Sequence, residues 1–376
     1  MDFEFTEDHE QLRDAVRRYI DKVYTFEHRK NIVAHGGFDR AAYTSLAELG
    51  LCGLCINDTY GGMGMGPIET MIVMEELGRG IALEPLAQNI ICGVLIENFA
   101  PEALKQTWLP QMASGEKIIV LATQERKARY STEKCEAIAA VAGKEYALSA
   151  IKNVVSVGDH ADAYLVPAML DGSLALFLVE RTASGVSTRG VSTRGYGCQD
   201  GSRAADLTLA NAPAQLITTD GAAALQLATD CGIANTCAYA VGVMDKTIAV
   251  TADYMNTRKQ FNATLSTFQA LRHRIADVKM QLELARSMSY FVNMKLGSPA
   301  PERSRAASQA KVQLGNSMRF VGQQAVQLHG GIGVTDEYIV SHYFKTLTQL
   351  ELSFGDTLHH LGEVSHRMQD TAGVFA

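Results

Sequence analysis

The sequence predicts an α+β multidomain protein in which an N-terminal α-helical domain, a middle antiparallel β-barrel or sandwich and a C-terminal four-helix bundle follow one another. Three observations predict this order. Residues 1–116 show capped helical segments, residues 117–220 show short β-branched runs between turn residues, and residues 221–376 show segments far longer than the mean helix of about 11–12 residues. A chain of 376 residues is long enough for two or three such domains.

Caps and breakers define the helices of the N-terminal domain. Thr6 is predicted to cap one helix, and Asp39 to cap a second that ends near Gly50. Pro and Gly mark the ends of three further helices. These are predicted at Ile68–Leu77, Pro85–Phe99 and Pro101–Ser114.

Closely spaced strands characterise the middle domain. No helical segment separates them, which argues against a βαβ sheet and favours antiparallel pairing. The predicted strands are 117–123, 136–141, 146–150, 152–157, 163–167, 174–180 and 205–210.

Long helices characterise the C-terminal domain. The segments 222–256, 267–296 and 301–328 are predicted to pack as an antiparallel bundle, and Pro301 suits the first turn of the third. One buried stripe recurs at spacings of three and four, formed by Leu271, Ile275, Val278, Leu282 and Ala285.

Charge and hydropathy exclude several classes of protein. A formal net charge of −7 argues against a nucleic-acid surface or an anionic-membrane surface, because both need a basic face. No apolar run reaches the roughly 18–20 residues of a membrane span, and the acidic N-terminus lacks the features of a signal peptide. We therefore expect a cytoplasmic protein.

The cysteines do not predict a metal centre. The seven are scattered along the chain, which fits reduced, buried thiols. Cys52 and Cys55 have CxxC spacing, but no second pair lies nearby and the surrounding sequence is apolar. His359 and His360 are adjacent and would point to different helix faces, so neither pair predicts a metal site.

Three further motifs are weak when taken singly. The glycine-rich loop 60–66 lies between helical segments and not after a strand, so a tight surface loop is favoured over a dinucleotide loop. Arg258-Lys-Gln-Phe261 is typical of a solvated helix end, although an Arg there can bind a phosphate. Gln327-Leu-His-Gly-Gly-Ile-Gly333 is typical of a helix C-cap.

Taken together, these motifs resemble the acyl-CoA dehydrogenase family over essentially the whole chain. The resemblance rests on the order and spacing of LATQER, RKQF, FQ and QLHGGIG. The phrases GPIETMIVMEELGR and YFKTLTQLELSFGDTLHHL resemble the small-subunit type of pimeloyl-CoA dehydrogenase.

The resemblance implies FAD as cofactor, held between the β domain and the C-terminal bundle with a neighbouring subunit completing the site. Val154 stands where family members often have Trp, and Asn262 where they usually have Gly. Asn tolerates a left-handed backbone, so the turn can survive. The implied FAD-binding residues are Ala122, Thr123, Val154, Val155, Ser156, Arg258, Phe261, Gln269, Gln327, Gly330 and Gly331.

The resemblance also implies α,β-dehydrogenation of an acyl-CoA, yet the family's base is absent. Phe354 occupies the position of the usual Glu, and Ala252 occupies the alternative position. Neither side chain can accept a proton. The nearby carboxylates Glu351, Asp356 and Asp253 are weak candidates for a displaced base.

Three interpretations therefore stay open. A larger paralogous subunit supplies the base in a heterotetramer, or the chain is a self-sufficient homo-oligomer with a displaced base, or it is a non-catalytic scaffold. Oxidase or monooxygenase activity is a further alternative on the same fold. The family's usual electron acceptor is electron-transfer flavoprotein.

Overall fold

The computed structural model describes residues 5–131, 134–143, 145–182 and 190–371. They form two compact units. The bundle unit comprises residues 5–29, 67–82 and 233–371, and the barrel unit comprises the described residues of 30–66 and 83–232. The three-domain division at residues 116 and 220 stays a prediction.

The N-terminal region is helical, as predicted. Thr6 caps the first helix by accepting a hydrogen bond from the N–H of His9 at 3.3 Å, and Asp39 caps the third. The second helix was not predicted from the sequence, because one of its buried positions is the charged residue Arg29, which interrupts the apolar pattern. The helices are α1 (Glu7–Lys22), α2 (Phe26–Ala34), α3 (Arg40–Glu48), α4 (Pro67–Gly80), α5 (Leu86–Phe99) and α6 (Glu102–Ala113).

Seven strands form one sheet in the barrel unit. In the order β4-β2-β3-β7-β5, the sheet returns to β4 and closes as a barrel, with β1 beside β4 and β6 beside β7. The strands are β1 (Ile119–Leu121), β2 (Ile138–Ala142), β3 (Glu145–Ser156), β4 (Ala163–Leu170), β5 (Ser173–Glu180), β6 (Gly190–Gly197) and β7 (Arg203–Thr218).

The sheet is mixed and not purely antiparallel. The pairs β1–β4 and β2–β4 are parallel, whereas the other ladders are antiparallel. The predicted runs 146–150 and 152–157 are one strand, β3, because bulges at Leu148/Ala150 and Lys152/Val155 interrupt its alternation. The sequence missed β6, whose residues Gly190–Gly197 are mostly small or polar.

The C-terminal region contains the three predicted long helices, with ends one to two residues from the predicted ones. Val278, Leu282 and Ala285 of the predicted stripe are fully buried in a core to which α7, α8, α9 and α10 all contribute. These elements are α7 (Gly221–Thr257), α8 (Gln269–Lys295), α9 (Ala300–His329), α10 (Ile339–Leu352) and α11 (Thr357–Thr371), with a hairpin of β8 (Lys259–Gln260) and β9 (Ala263–Thr264) after α7. Among the described helices, none is long and apolar enough to cross a membrane.

Two glycines bring α4 and α7 into backbone contact in the bundle unit. A Cβ at Gly78 would lie 2.0 Å from the carbonyl oxygen of Tyr239, and a Cβ at Gly242 would lie 1.8 Å from that of Glu75. No Cβ fits at such distances, so this crossing requires glycine on both helices.

We expect Gly242→Ala to destabilise the protein, because the added methyl group forces α4 and α7 apart. Overpacking of this kind costs about 1–3 kcal/mol in the free energy of unfolding. Gly362→Ala is the matched control, since this helical glycine of α11 has nothing within 4 Å of an added Cβ. The control should gain up to about 1 kcal/mol from helix propensity. Urea unfolding of both variants checks the prediction, and equal shifts would contradict it.

Candidate functional site

In the barrel unit, the predicted flavin-lining residues lie at one edge of the barrel. The N–H of Ala122 donates to the carbonyl of Leu165 at 2.9 Å, and the N–H of Asn153 donates to the carbonyl of Gln124 at 2.8 Å. These bonds bring the segment after β1, which includes Thr123, next to the end of β3. Among these residues, Ala122 and Val155 are buried, Ser156 is half-buried, and Thr123 and Val154 are exposed.

The end of β3 is strained. Val154 has a φ of 53°, in the left-handed region that a β-branched residue rarely adopts. It sits in the bulge where the register with β7 shifts between Lys152 and Val155. The bulge leaves the Val154 side chain 50% exposed, although neighbouring Val155 is buried. Strain of this kind concentrates at binding sites.

A buried ion pair supports this edge from inside the barrel. Lys152 Nζ donates to Glu125 Oε1 at 2.6 Å, and Glu125 also accepts from the N–H groups of Glu136 and Ala137. Burial alone would raise the pKa of Glu125, but the hydrogen bonds and the charge of Lys152 outweigh it, so the pKa is lowered. This pair was not predicted, because nothing in the spacing of residues 125 and 152 indicates that they meet.

In the bundle unit, a two-residue turn presents an aromatic side chain to solvent. Phe261 and Asn262 connect β8 and β9 with φ values of 55° and 62°, as a type I′ hairpin turn requires. Asn262 thus keeps the turn that family members make with Gly. Phe261 is 89% exposed at its tip. Arg258 before the hairpin and Gln269 after it are also exposed.

The end of α9 lies beside the end of α7. The ring of Tyr254, one helical turn before Arg258, stacks on His329 with ring centroids 4.4 Å apart. Its hydroxyl donates to the His329 carbonyl at 3.3 Å. The contact brings the two predicted FAD-binding segments of the bundle unit together.

The glycines after His329 leave open space. Gly330 has a φ of 65°, and a Cβ on Gly330 or Gly331 would meet nothing within 4 Å. Gln327, Gly330 and Gly331 are all exposed. Exposed backbone without side chains allows a ligand to approach the main chain closely.

The turn between α10 and α11 carries Phe354, the residue that the resemblance places at the position of the family's base. Phe354 has a φ of 55° and packs, half-buried, against the core of the bundle. The next residue, Gly355, has a φ of 107°. A Cβ there would lie 2.6 Å from the His359 and His360 rings, so the turn requires this glycine.

Buried side chains hold this turn from beneath. Lys311 on α9 is fully buried, and its Nζ donates to the carbonyls of Glu351 at 2.8 Å and Gly355 at 2.7 Å. Nε2 of His360 donates to the Phe354 carbonyl at 2.8 Å. Burial lowers the pKa of Lys311 to about 8 and that of His360 to about 4. Lys311 was not predicted as a site residue, since an isolated Lys in a helical sequence gives no signal of burial.

Of the three weak candidates for a displaced base, two accept hydrogen bonds within the α10–α11 turn and the third lies on α7. Glu351 is buried and accepts from the N–H of Thr357 at 3.0 Å, from its hydroxyl at 2.6 Å and from Arg319 at 3.3 Å. Asp356 accepts from the N–H of His359 at 2.8 Å and so caps α11. Asp253 is exposed on α7, and Ala252 before it is half-buried.

Backbone N–H groups of the glycine-rich loop donate hydrogen bonds to carbonyls of the preceding segment. The N–H of Met63 donates to the carbonyl of Gly53 at 2.9 Å, and that of Gly64 to the carbonyl of Ile56 at 2.8 Å. These donors are therefore not available to a phosphate. Cys52 is buried and Cys55 is half-buried. Within the described ranges, no group of three or more His, Cys, Asp or Glu side chains is placed to hold a metal ion.

Comparison with known proteins identifies the family. Residues 6–116 match the family model for the acyl-CoA dehydrogenase N-terminal domain, and residues 219–368 match that for the acyl-CoA dehydrogenase C-terminal domain. Together the two models cover more than half of the chain. A curated relative, acyl-CoA dehydrogenase FadE27 of Mycobacterium tuberculosis, is 29% identical over 99% of this chain and 100% of that protein.

Solved structures agree with this. A chain of the ChsE4–ChsE5 complex from Mycobacterium tuberculosis is similar with a TM-score of 0.88 and 26% identity, covering 99% of this chain and 100% of that one. A chain of the Tcur3481–Tcur3483 steroid ACAD variant is similar with a TM-score of 0.89 and 25% identity, covering 98% and 99%. The chain belongs to the acyl-CoA dehydrogenase family, the flavin-dependent oxidoreductases that bind FAD and dehydrogenate acyl-CoA thioesters.

Proposed function

We propose that this chain is one subunit of a heteromeric acyl-CoA dehydrogenase, in which a larger paralogous subunit supplies the catalytic base. The proposal rests on Phe354 and Ala252, which stand at the two positions that the resemblance assigns to the family's base. Dehydrogenation requires a group that accepts the α-proton of the thioester, and neither phenyl nor methyl can do so.

The carboxylates of the chain's own turn support this division of labour. Glu351 accepts three hydrogen bonds, two of them from Thr357, and Asp356 caps α11. Withdrawing either carboxylate to act as a base would leave buried or capping donors without their acceptor, at about 1–3 kcal/mol each. Both side chains therefore serve the turn, and the proposed role of this chain is to hold cofactor and thioester for the base of its partner.

FAD, when bound, supplies the acceptor for the hydride that leaves the β-carbon. We assign its contacts to the residues that the resemblance implies. In the barrel unit, the edge formed by Ala122, Thr123 and Val154–Ser156 provides backbone groups, one hydroxyl and an exposed aliphatic side chain for the ring. In the bundle unit, Arg258, Phe261, Gln269, Gln327 and Gly330–Gly331 provide a cation, an aromatic ring, amides and open backbone for the dinucleotide part.

The heteromeric arrangement is supported by the relatives. ChsE4–ChsE5 is a complex of two differently named chains, and the Tcur3481–Tcur3483 protein is described as a steroid ACAD. We propose an arrangement of this kind for the present chain, with an acyl-CoA as substrate. A fatty acyl, a dicarboxylic or a steroid side-chain acyl group fits the proposal equally well. The resemblance to the small subunit of pimeloyl-CoA dehydrogenase also supports a heteromeric arrangement. We further propose a cytoplasmic location and electron-transfer flavoprotein as the electron acceptor.

Affinity purification from the native host tests the proposal. The tagged chain should co-purify with one paralogous acyl-CoA dehydrogenase subunit in equal amount, and the complex should carry flavin. Activity with acyl-CoA should require that second subunit. Recovery of a homo-oligomer that carries flavin and oxidises acyl-CoA by itself would contradict the proposal, and so would a flavin-free complex.

Phe261→Ala is expected to weaken FAD binding without unfolding the protein. The ring is 89% exposed and contributes little to the fold, so its loss should act on the cofactor. We expect at least a tenfold rise in the Kd for FAD, which is about 1.4 kcal/mol. The Kd is measured by removing the flavin from the assembly that carries it and titrating FAD back. Thermal unfolding of the same samples checks that the variant is folded.

Leu358→Ala is the matched control, because this side chain of α11 is 77% exposed in the same unit and is not assigned to FAD. The control should bind FAD as the wild type does. Equal FAD affinity for Phe261→Ala and Leu358→Ala would show that Phe261 is not a cofactor contact.

Ala252→Glu is expected to give the chain a base of its own. Position 252 lies within α7 and is half-buried, so a carboxylate can be accommodated there. General-base catalysis contributes about 10²–10⁴-fold. The FAD-loaded variant, without any partner, should therefore be bleached by a saturated acyl-CoA at least about 100-fold faster than the wild type.

The control for this variant is Ala252→Gln, which has nearly the same shape but cannot accept the proton. It should be bleached no faster than the wild type. If Glu and Gln variants behave alike, the missing base does not limit the reaction of the isolated chain.

A further inference from the structure

A thiol, an ammonium group and a carboxylate meet inside the barrel unit. Lys152 is fully buried, and its Nζ donates to Glu125 Oε1 at 2.6 Å. Cys135 is half-buried just before β2, and its Sγ lies 3.9 Å from Lys152 Nζ and 3.6 Å from Glu125 Oε1. One carboxylate oxygen therefore contacts both the amine and the thiol.

The ion pair does not require this thiol. Glu125 already accepts hydrogen bonds from two backbone N–H groups at 2.6 Å and 3.2 Å, besides the one from Lys152. The Cys135 thiol lies nearest to the carbonyl of Pro167, at 3.4 Å. The sulfur is thus a neighbour of the pair whose chemistry the fold does not use.

A cysteine next to a lysine can be joined to it by oxidation. A peroxide converts the thiol to a sulfenic acid, and the sulfur of a sulfenic acid condenses with a nitrogen nucleophile to give a sulfenamide. The distance of 3.9 Å between Cys135 Sγ and Lys152 Nζ is close to the separation of about 3–3.5 Å from which atoms react. Because Lys152 is fully buried, its amine is held beside the sulfur.

We propose that Cys135 and Lys152 form a reversible sulfenamide link when the protein meets hydrogen peroxide. In the first step, the Cys135 thiol loses its proton to solvent and the sulfur attacks one peroxide oxygen. The O–O bond breaks, and hydroxide leaves and takes up a proton from solvent. The products are a sulfenic acid and one water.

The second step uses Glu125 as the proton acceptor. The Lys152 ammonium gives one proton to Glu125, its nitrogen attacks the sulfur, and the S–O bond breaks. The departing hydroxide takes a second proton from the nitrogen and leaves as water. Sulfur has lost the two electrons that the peroxide gained. The buried cation and anion have become a neutral sulfenamide beside a neutral carboxylic acid, so no unpaired charge is left in the barrel.

The thiol reacts through its thiolate, so alkaline pH favours the link. Burial raises the pKa of Cys135; Lys152 opposes this rise and Glu125 adds to it. Oxidation is therefore carried out at pH 9, where more thiolate is present than at pH 7.

Peptide mass spectrometry tests the proposal. The purified protein is exposed to hydrogen peroxide at pH 9, its remaining thiols are blocked, and it is digested without a reductant. We expect one pair of peptides that joins Cys135 to Lys152, with a mass two hydrogen atoms below the sum of the two peptides. The pair should disappear after treatment with dithiothreitol. Absence of the pair, or a link that retains an oxygen atom, would overturn the proposal.

Two variants assign the reacting groups. Cys135→Ser should abolish the link. Lys152→Arg keeps a cation beside Glu125, but a guanidinium stays protonated and does not condense. The sulfenic acid of Cys135 should then persist, so labelling of Cys135 by dimedone, which traps sulfenic acids, should rise at least about fivefold over the wild type. Equal labelling in the two proteins would show that Lys152 does not consume the sulfenic acid. If Lys152→Arg fails to fold, Cys135→Ser still tests the link.

Cys198→Ser is the matched control. Cys198 is half-buried in the same unit, and its neighbours are Ser202 and Asp200. The link should form in this variant as it does in the wild type. A link that survives Cys135→Ser, or one that is lost in Cys198→Ser, would belong to another cysteine and would overturn the proposal.

Discussion

The buried ammonium of Lys311 is the constraint on which the candidate active site depends. It reaches from α9 to the carbonyls of Glu351 and Gly355, at the two ends of the turn that joins α10 to α11. A fully buried cation is costly unless its hydrogens are used, and here two backbone carbonyls use them. The turn is thereby fixed to the core of the bundle, and with it Phe354. Phe354 is therefore held firmly at the position that the resemblance assigns to the base. Because the turn is fixed, it is not free to bring another residue to this position.

Backbone strain occurs at each of the three places where the resemblance puts function. Val154, Phe261 and Phe354 all adopt positive φ angles, which cost about 1–3 kcal/mol each for residues other than glycine. Each conformation is held by neighbouring structure: a bulge in β3, a type I′ hairpin and the Lys311 turn. Phe354 shows most clearly that the strained turn is retained, because its side chain packs against the core of the bundle. Under the proposed function, the chain therefore keeps the fold of the site and leaves the base to its partner subunit.

Much of the fold could be predicted because local signals and packing agree. Thr6 and Asp39 cap helices as expected. Val278, Leu282 and Ala285 of the predicted stripe are buried, whereas Leu271 and Ile275 are half-buried. The elements that were predicted wrongly, or not at all, also have physical explanations. Arg29 conceals the buried face of α2, two bulges divide β3 into apparent strands, and the parallel pairing of β1 with β4 joins segments far apart in sequence. The site residues that were missed, Lys311 and the pair Glu125–Lys152, act through burial, which a single sequence does not reveal.

The central claim is that this chain holds FAD and thioester but cannot remove the α-proton by itself. Exchange of that proton tests it most directly, because exchange requires a base and no electron transfer. The FAD-loaded chain and the complex with its partner subunit would each be incubated with a saturated acyl-CoA in ²H₂O without oxygen, and deuterium at the α-carbon would be measured by mass spectrometry. We expect exchange in the complex and none with the chain alone. Exchange catalysed by the chain alone would contradict the account.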